Sequence, residues 1–144
     1  MTQATPQSDA SKAVGSEPLP VTLSVPAQHA QLPVIRLLTE MVAMQSGCTL
    51  DQTADVKLAV DQVCTLLIDA AAPATEITCR YQAVGDDFRI TLTADTITQW
   101  RPAPGSLERR ILESLTDMLT IRDESAGATQ PDRSIVLLSI GKPV

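Results

Sequence analysis

The chain has 144 residues, a net charge of −6 and 44% hydrophobic residues. That suits one domain with a core of its own and excludes a disordered polyelectrolyte. Aromatic residues are only 2%, so the core must be built from Leu, Ile, Val and Ala. Direct nucleic-acid binding is excluded on charge, because phosphate recognition needs clustered Lys and Arg and the one adjacent basic pair is Arg109-Arg110.

Residues 1–18 are rich in Ser, Gln, Ala and Pro and lack the apolar stretch of a signal peptide. They read as a flexible tail, which divides the chain into a tail, 1–19, and a domain, 20–144. Val21, Leu23 and Val25 alternate with Thr22 and Ser24, the pattern of a half-buried strand. From Gln28 to Met44 the period becomes helical, with Leu32, Ile35, Leu38 and Val42 on one side and Met41 beside them. Pro33 is tolerated in a first turn, and Ser46-Gly47 ends the helix. A second helix starts near Asp51, with Thr49 or Asp51 as its cap. Its apolar stripe is Val56, Ala59, Val60, Val63, Leu67 and Ala70, and it stops before Pro73.

Two alternating runs follow, Ile77, Cys79, Tyr81, Ala83 and then Phe88, Ile90, Leu92. Gly85-Asp86-Asp87 between them predicts a hairpin. Residues 94–105, with Pro102, Pro104 and Gly105, read as a loop. A third helix begins near Ser106, with Leu107, Ile111, Leu115 and Met118 marking its buried side. A short strand is expected over Leu119 to Arg122, a loop over Glu124 to Asp132, and an apolar strand over Ser134 to Ile140 that suits the middle of a sheet. The predicted order is β-α-α-β-β-loop-α-β-β, without internal repeats. It implies an α+β two-layer sandwich, a mixed sheet covered on one face by about three helices.

Three cysteines, Cys48, Cys64 and Cys79, show no CxxC spacing, which fits a reducing compartment. Cys64 and Cys79 fall on packing positions and read as small buried hydrophobes. No apolar run approaches the ~20 residues of a membrane span, so a cytoplasmic protein is expected.

The segment DVKLAVDQVCTLLIDAA (55–71) resembles the corresponding helix of the anti-sigma factor RsbW family. The likeness rests on Asp55, Lys57, Leu58, Ala59, Val60, Val63, Cys64 and Thr65. PVIRLLTEMV (33–42), the hairpin and APGSLERRILESLTDMLTI (103–121) extend it over about residues 20–142. The family shares the Bergerat, or GHKL, fold of histidine kinases and gyrase B, and the resemblance implies that fold here.

In kinase-competent members this helix carries Glu and, four residues on, Asn. That spacing puts both on one side of a helix, where Asn gives a hard oxygen to Mg²⁺ and Glu acts as general base. Here those positions hold Gln62 and Leu66. An amide cannot take a proton at neutral pH, and an alkyl group cannot ligate a cation. Asp61 lies about 100° around the helix and points elsewhere, and Asp69 lacks the spacing to Leu66 that a metal would need. The family's second motif, Asp-x-Gly-x-Gly/Ala, falls in TADTITQWRPAPG (93–105). Asp95 is the candidate Asp, yet no glycine follows before Gly105. The Gly-rich lid is reduced to Pro104-Gly105-Ser106, and glycine-poor loops fit phosphates badly. Gln62, Leu66, Asp95 and Gly105 thus mark a degenerate nucleotide pocket. No catalytic residue and no metal ligand is assigned, no cofactor is required, and ATP or ADP binding is expected to be weak.

Arg36 matches the arginine that in relatives contacts the sigma factor and its antagonist, and a guanidinium grips carboxylates with two hydrogen bonds. An ordinary surface arginine is the competing reading. His29 reads as a surface residue, Trp100 as loop packing or a partner anchor, and Arg109-Arg110 as a solvated helix face. The resemblance implies an anti-sigma factor that sequesters an alternative, stress-type sigma factor. Release by a STAS-type anti-anti-sigma protein and assembly as a homodimer are implied too. An active serine-protein kinase is the competing function, and an unrelated α/β interaction module the third.

Overall fold

The computed structural model describes residues 20–98, 100–125 and 127–141; the expected tail, 1–19, lies outside them. Strand β1 (Val21–Pro26) leads through a short 3-10 turn, His29–Gln31, into α1 (Leu32–Gln45) and α2 (Leu50–Ala70). The hairpin β2 (Glu76–Val84) and β3 (Asp87–Thr96) follows, then α3 (Leu107–Leu115), β4 (Met118–Glu124) and β5 (Asp132–Gly141). The order of elements is the one the periodicity predicts.

The sheet runs β1-β2-β3-β5-β4, and each of its four pairings is antiparallel. This corrects the expected mixed sheet. β3 and β4 do point the same way, as a helical crossover between them requires. β5 inserts between them, so no parallel ladder forms. The hairpin turn is tighter than expected, because Val84 pairs with Asp87 and only Gly85 and Asp86 remain outside the ladder. Gly85 takes the positive φ of 59° that such a turn demands.

All three helices lie on one face of the sheet. The stripe of α2, Val56 through Ala70, is buried as predicted, against Ile77, Cys79, Ile90, Leu92, Val136 and Leu138. The chain's few aromatics are all inside: Tyr81, Phe88 and Trp100 are buried, and the Tyr81 and Phe88 rings stack with centroids 6.3 Å apart. The Thr39 hydroxyl donates to the Ile35 carbonyl at 2.7 Å, and the Tyr81 hydroxyl donates to Thr39 at 2.8 Å, so no hydroxyl of this pair is buried unsatisfied.

Thr49 caps α2. Its side chain accepts from the Gln52 backbone N–H at 3.1 Å, and Gln52 accepts from the Thr49 N–H at 3.0 Å. Such a reciprocal box is worth about 1 kcal/mol.

Two expected faces differ. On α1, Thr39 and Ala43 are buried with Leu32, Ile35 and Val42, while Met41 is exposed. On α3, Leu112 is the buried residue, Leu107 and Ile111 are exposed, and Met118 begins β4. A nine-residue helix offers two neighbouring apolar rows, and the row containing Leu112 is the one that turns inward.

Candidate functional site

The long capped helix α2 carries the positions the family uses for chemistry, so its outward residues define the site. Gln62 and Leu66 are both half-buried, and Leu66 packs against the hydrophobic core. An alkyl group and a neutral amide at i and i+4 supply neither a charged oxygen for a metal nor a proton acceptor. This pair does not fit Mg²⁺-bound ATP.

The carboxylates nearby are engaged elsewhere. Asp61 accepts from the Arg36 Nε at 2.7 Å, bridging α1 and α2. Asp69 sits 2.7 Å from the His29 Nε2, tying the 3-10 turn to the end of α2. Arg36 therefore has a partner within the chain, while its side chain stays about half exposed.

The structure does not bring Asp95 to Gln62 and Leu66. β3 is longer than predicted and reaches Thr96. Its even positions, Phe88 to Thr96, face the helices, and a period of two turns Asp95 to the opposite face. There it pairs with Arg133 at 3.5 Å. Gly105 is exposed with φ of 79° and turns the chain into Ser106, which caps α3 by accepting from the Arg109 N–H at 3.2 Å.

Trp100 comes from the same degenerate segment and points inward. Its Nε1 donates to the Ser134 hydroxyl at 2.8 Å. Ser134 also meets Thr96 at 2.8 Å and donates to Asp123 at 3.0 Å, and Asp123 is held by Arg101. This network seals the helix-facing end of β3, β4 and β5 and bears out the packing reading of Trp100. Beside it opens a cleft of about 570 Å³ lined by Thr96, Trp100, Arg101, Asp123 and Gln130, among others. None of Gln62, Leu66, Asp95 or Gly105 lines it.

Two further groups are held neutral. The Cys64 thiol is pushed well above its ordinary range by its hydrogen bond to Cys79 and then by burial. Burial, followed by the neighbouring Cys79, raises the Tyr81 hydroxyl, against the lowering effect of Thr39. Thiols and phenols so placed are protonated and inert as nucleophiles.

Sequence reasoning missed one surface feature. Val34, Leu37, Met41 and Met44 are all exposed on α1, and their spacing of three and four forms one stripe, with Arg36 on the flank that faces α2. The signal was present, since the apolar residues of α1 fill more than a single stripe.

No protein-family model matches the chain. Over 97 residues it is 32% identical to the anti-sigma-F factor RsbW of Mycobacterium tuberculosis, in the CDC 1551 and H37Rv strains alike. The match takes in 67% of this chain and 58% of each relative, so the chain spans less than two thirds of the length of these curated relatives. Among solved structures, the RsbU and RsbW domains of Rv1364c from Mycobacterium tuberculosis align with a TM-score of 0.68 at 16% identity. The alignment covers 88% of this chain and 34% of that one. At that identity the likeness establishes a shared fold, three helices on a five-stranded sheet.

Proposed function

We propose, from the premise that the chain is a homologue of the RsbW anti-sigma factors, that it works by binding rather than by catalysis. It sequesters an alternative sigma factor of the stress-response type and keeps it from RNA polymerase. An anti-anti-sigma protein releases it by competing for an overlapping surface. The expected assembly is a homodimer holding one sigma factor, in the cytoplasm where transcription takes place. Among the described residues no helix is long and apolar enough to cross a membrane.

The observation that carries this reading is the outer face of α1. Val34, Leu37, Met41 and Met44 expose apolar surface, and the half-exposed Arg36 guanidinium lies on the flank of the helix toward α2. Exposed methionines with an arginine at the rim are residue types enriched at protein interfaces. Arg36→Ala is expected to weaken sigma-factor binding about tenfold. Stability should change by no more than about 0.5 kcal/mol, since the pair with Asp61 is solvent-screened. Isothermal calorimetry with the sigma factor that co-purifies with the chain measures this, and an unchanged Kd counts against the assignment.

The α2 face supports binding without phosphoryl transfer. ATP is not needed for sequestration, and nucleotide binding, if measured, is weak. The double substitution Gln62→Glu with Leu66→Asn is expected to leave transfer from γ-labelled ATP to the antagonist at background. Restoring base and ligand on α2 does not turn Asp95 to the helix-facing side or supply glycines to 97–104. Recovered turnover in that variant would overturn the non-catalytic reading.

A further inference from the structure

We infer that the uncovered face of the sheet is a second docking surface, shaped for an acidic protein segment that places an apolar side chain between two carboxylates. The register assigns its residues. One cross-strand row reads Thr22, Arg80, Thr91, Leu137, Thr120, and the next reads Ser24, Thr78, Thr93, Ile135, Arg122. A third row holds Gln82, Arg89, Ser139 and Met118.

These three rows contain three arginines and no carboxylate, in a chain of net charge −6. Asp87 lies one row out, where it meets Arg89 at 3.5 Å. Among the described residues, Arg80 and Arg122 have no ion-pair partner. The acidic side chains of this face border the three rows at both ends, Asp87 at one and Glu76, Asp95 and Glu124 with Arg133 at the other. The two unpaired arginines, Arg80 and Arg122, therefore stand at the centre of the face with the carboxylates at its borders, and an acidic side chain is the complement of that centre.

The centre of the face is not simply polar. Ile135 and Leu137 are half-buried, and with Thr91, Thr120 and Arg122 they line a depression of about 180 Å³. That is room for one aliphatic side chain. Arg80 on β2 and Arg122 on β4 are three strand spacings and one row apart, roughly 16 Å, a span that about five extended residues cross. Carboxylates near the two ends and an apolar residue over Ile135 and Leu137 would satisfy all three features.

Other occupants fit less well. Three arginines on an acidic domain are too few to hold a nucleic-acid backbone. A second copy would set the arginine rows against one another. The helices cover the other face of the sheet, so a partner here leaves the α1 surface open. A sigma factor and an acidic protein could be bound at the same time, and the proposal stands independently of which protein α1 binds.

The test uses the full chain and a fluorescein-labelled peptide of Glu and Asp residues around one central Leu, read by anisotropy and by backbone amide shifts. Binding is expected to move the signals of Thr78, Thr91, Thr93, Ile135 and Leu137 and to weaken with salt. Arg80→Glu with Arg122→Glu should weaken it at least about tenfold. If that variant unfolds, Arg80→Gln with Arg122→Gln gives the same direction with a smaller loss. Shifts confined to α1, equal binding of a Lys-for-Glu peptide or of oligo-dT, or no binding at all would overturn the proposal. So would a halving of the solution mass in the charge-reversed variant, which would assign the face to a second copy.

Discussion

Leu37→Asp is expected to lower sigma-factor affinity by about a hundredfold or more while the domain stays folded. Leu37 sits in the middle of the α1 stripe and is 61% exposed, so its side chain contributes little to the core. In a complex that buries the stripe, an aspartate there must be desolvated without a partner, which costs several kcal/mol. The isolated domain feels only a lowered helix propensity and a like charge at Glu40, three residues on, together about 1 kcal/mol. Calorimetry against the sigma factor, paired with a thermal melt of the free protein, separates the two effects. Wild-type affinity in the folded variant would remove α1 from the binding surface and with it the main support for the proposed function.

Trp100→Ala is expected to destabilise the domain by about 3–5 kcal/mol, the usual loss for deleting a buried indole. Trp100 is 7% exposed, and its ring closes the end of the core while its N–H serves Ser134. Ser134 keeps Thr96 and Asp123 as partners, so most of the loss comes from the cavity. Trp100→Phe refills much of the volume and should cost less, about 1–2 kcal/mol. Urea unfolding followed by far-UV circular dichroism measures both, because the chain has a single Trp and the variants lose its fluorescence. A loss below about 1 kcal/mol for the alanine variant would mean that the segment after β3 does not seal the core.

The Trp100 cluster also bears on the proposal that the chain works without a nucleotide. The stretch that kinase-competent relatives devote to glycines and an inward Asp is used here for packing. Asp95 faces the other side of the sheet, Trp100 fills the helix-facing end, and one glycine, Gly105, remains at the entry to α3. On the proposed reading, Gln62 and Leu66 on α2 are one part of a wider exchange of chemistry for core.

Much of this was legible in the residues. The alternation at Val21–Val25, Ile77–Ala83 and Phe88–Leu92 placed three strands. The Thr49 cap and the α2 stripe were readable because capping and helical periodicity involve residues close in the chain. Asp95 is legible in part: extending the β3 alternation by two residues turns it outward, whereas Pro102, Pro104 and Gly105 make 94–105 read as loop. The α3 face was not legible, since Leu107, Ile111 and Leu115 make as good a stripe as the row containing Leu112.

The sequence by itself determined the element order, the helix-covered sandwich and the neutral amide and alkyl group at Gln62 and Leu66. Those follow from local backbone geometry and from side-chain chemistry that no packing can change. The tertiary structure alone decided which carboxylates are spent. The pairs Arg36–Asp61, His29–Asp69 and Trp100–Ser134 join residues 25, 40 and 34 positions apart. It also decided that β5 enters between β3 and β4, leaving every pairing antiparallel. Such choices depend on how separate elements meet in space, and a single chain's periodicity carries no record of that meeting.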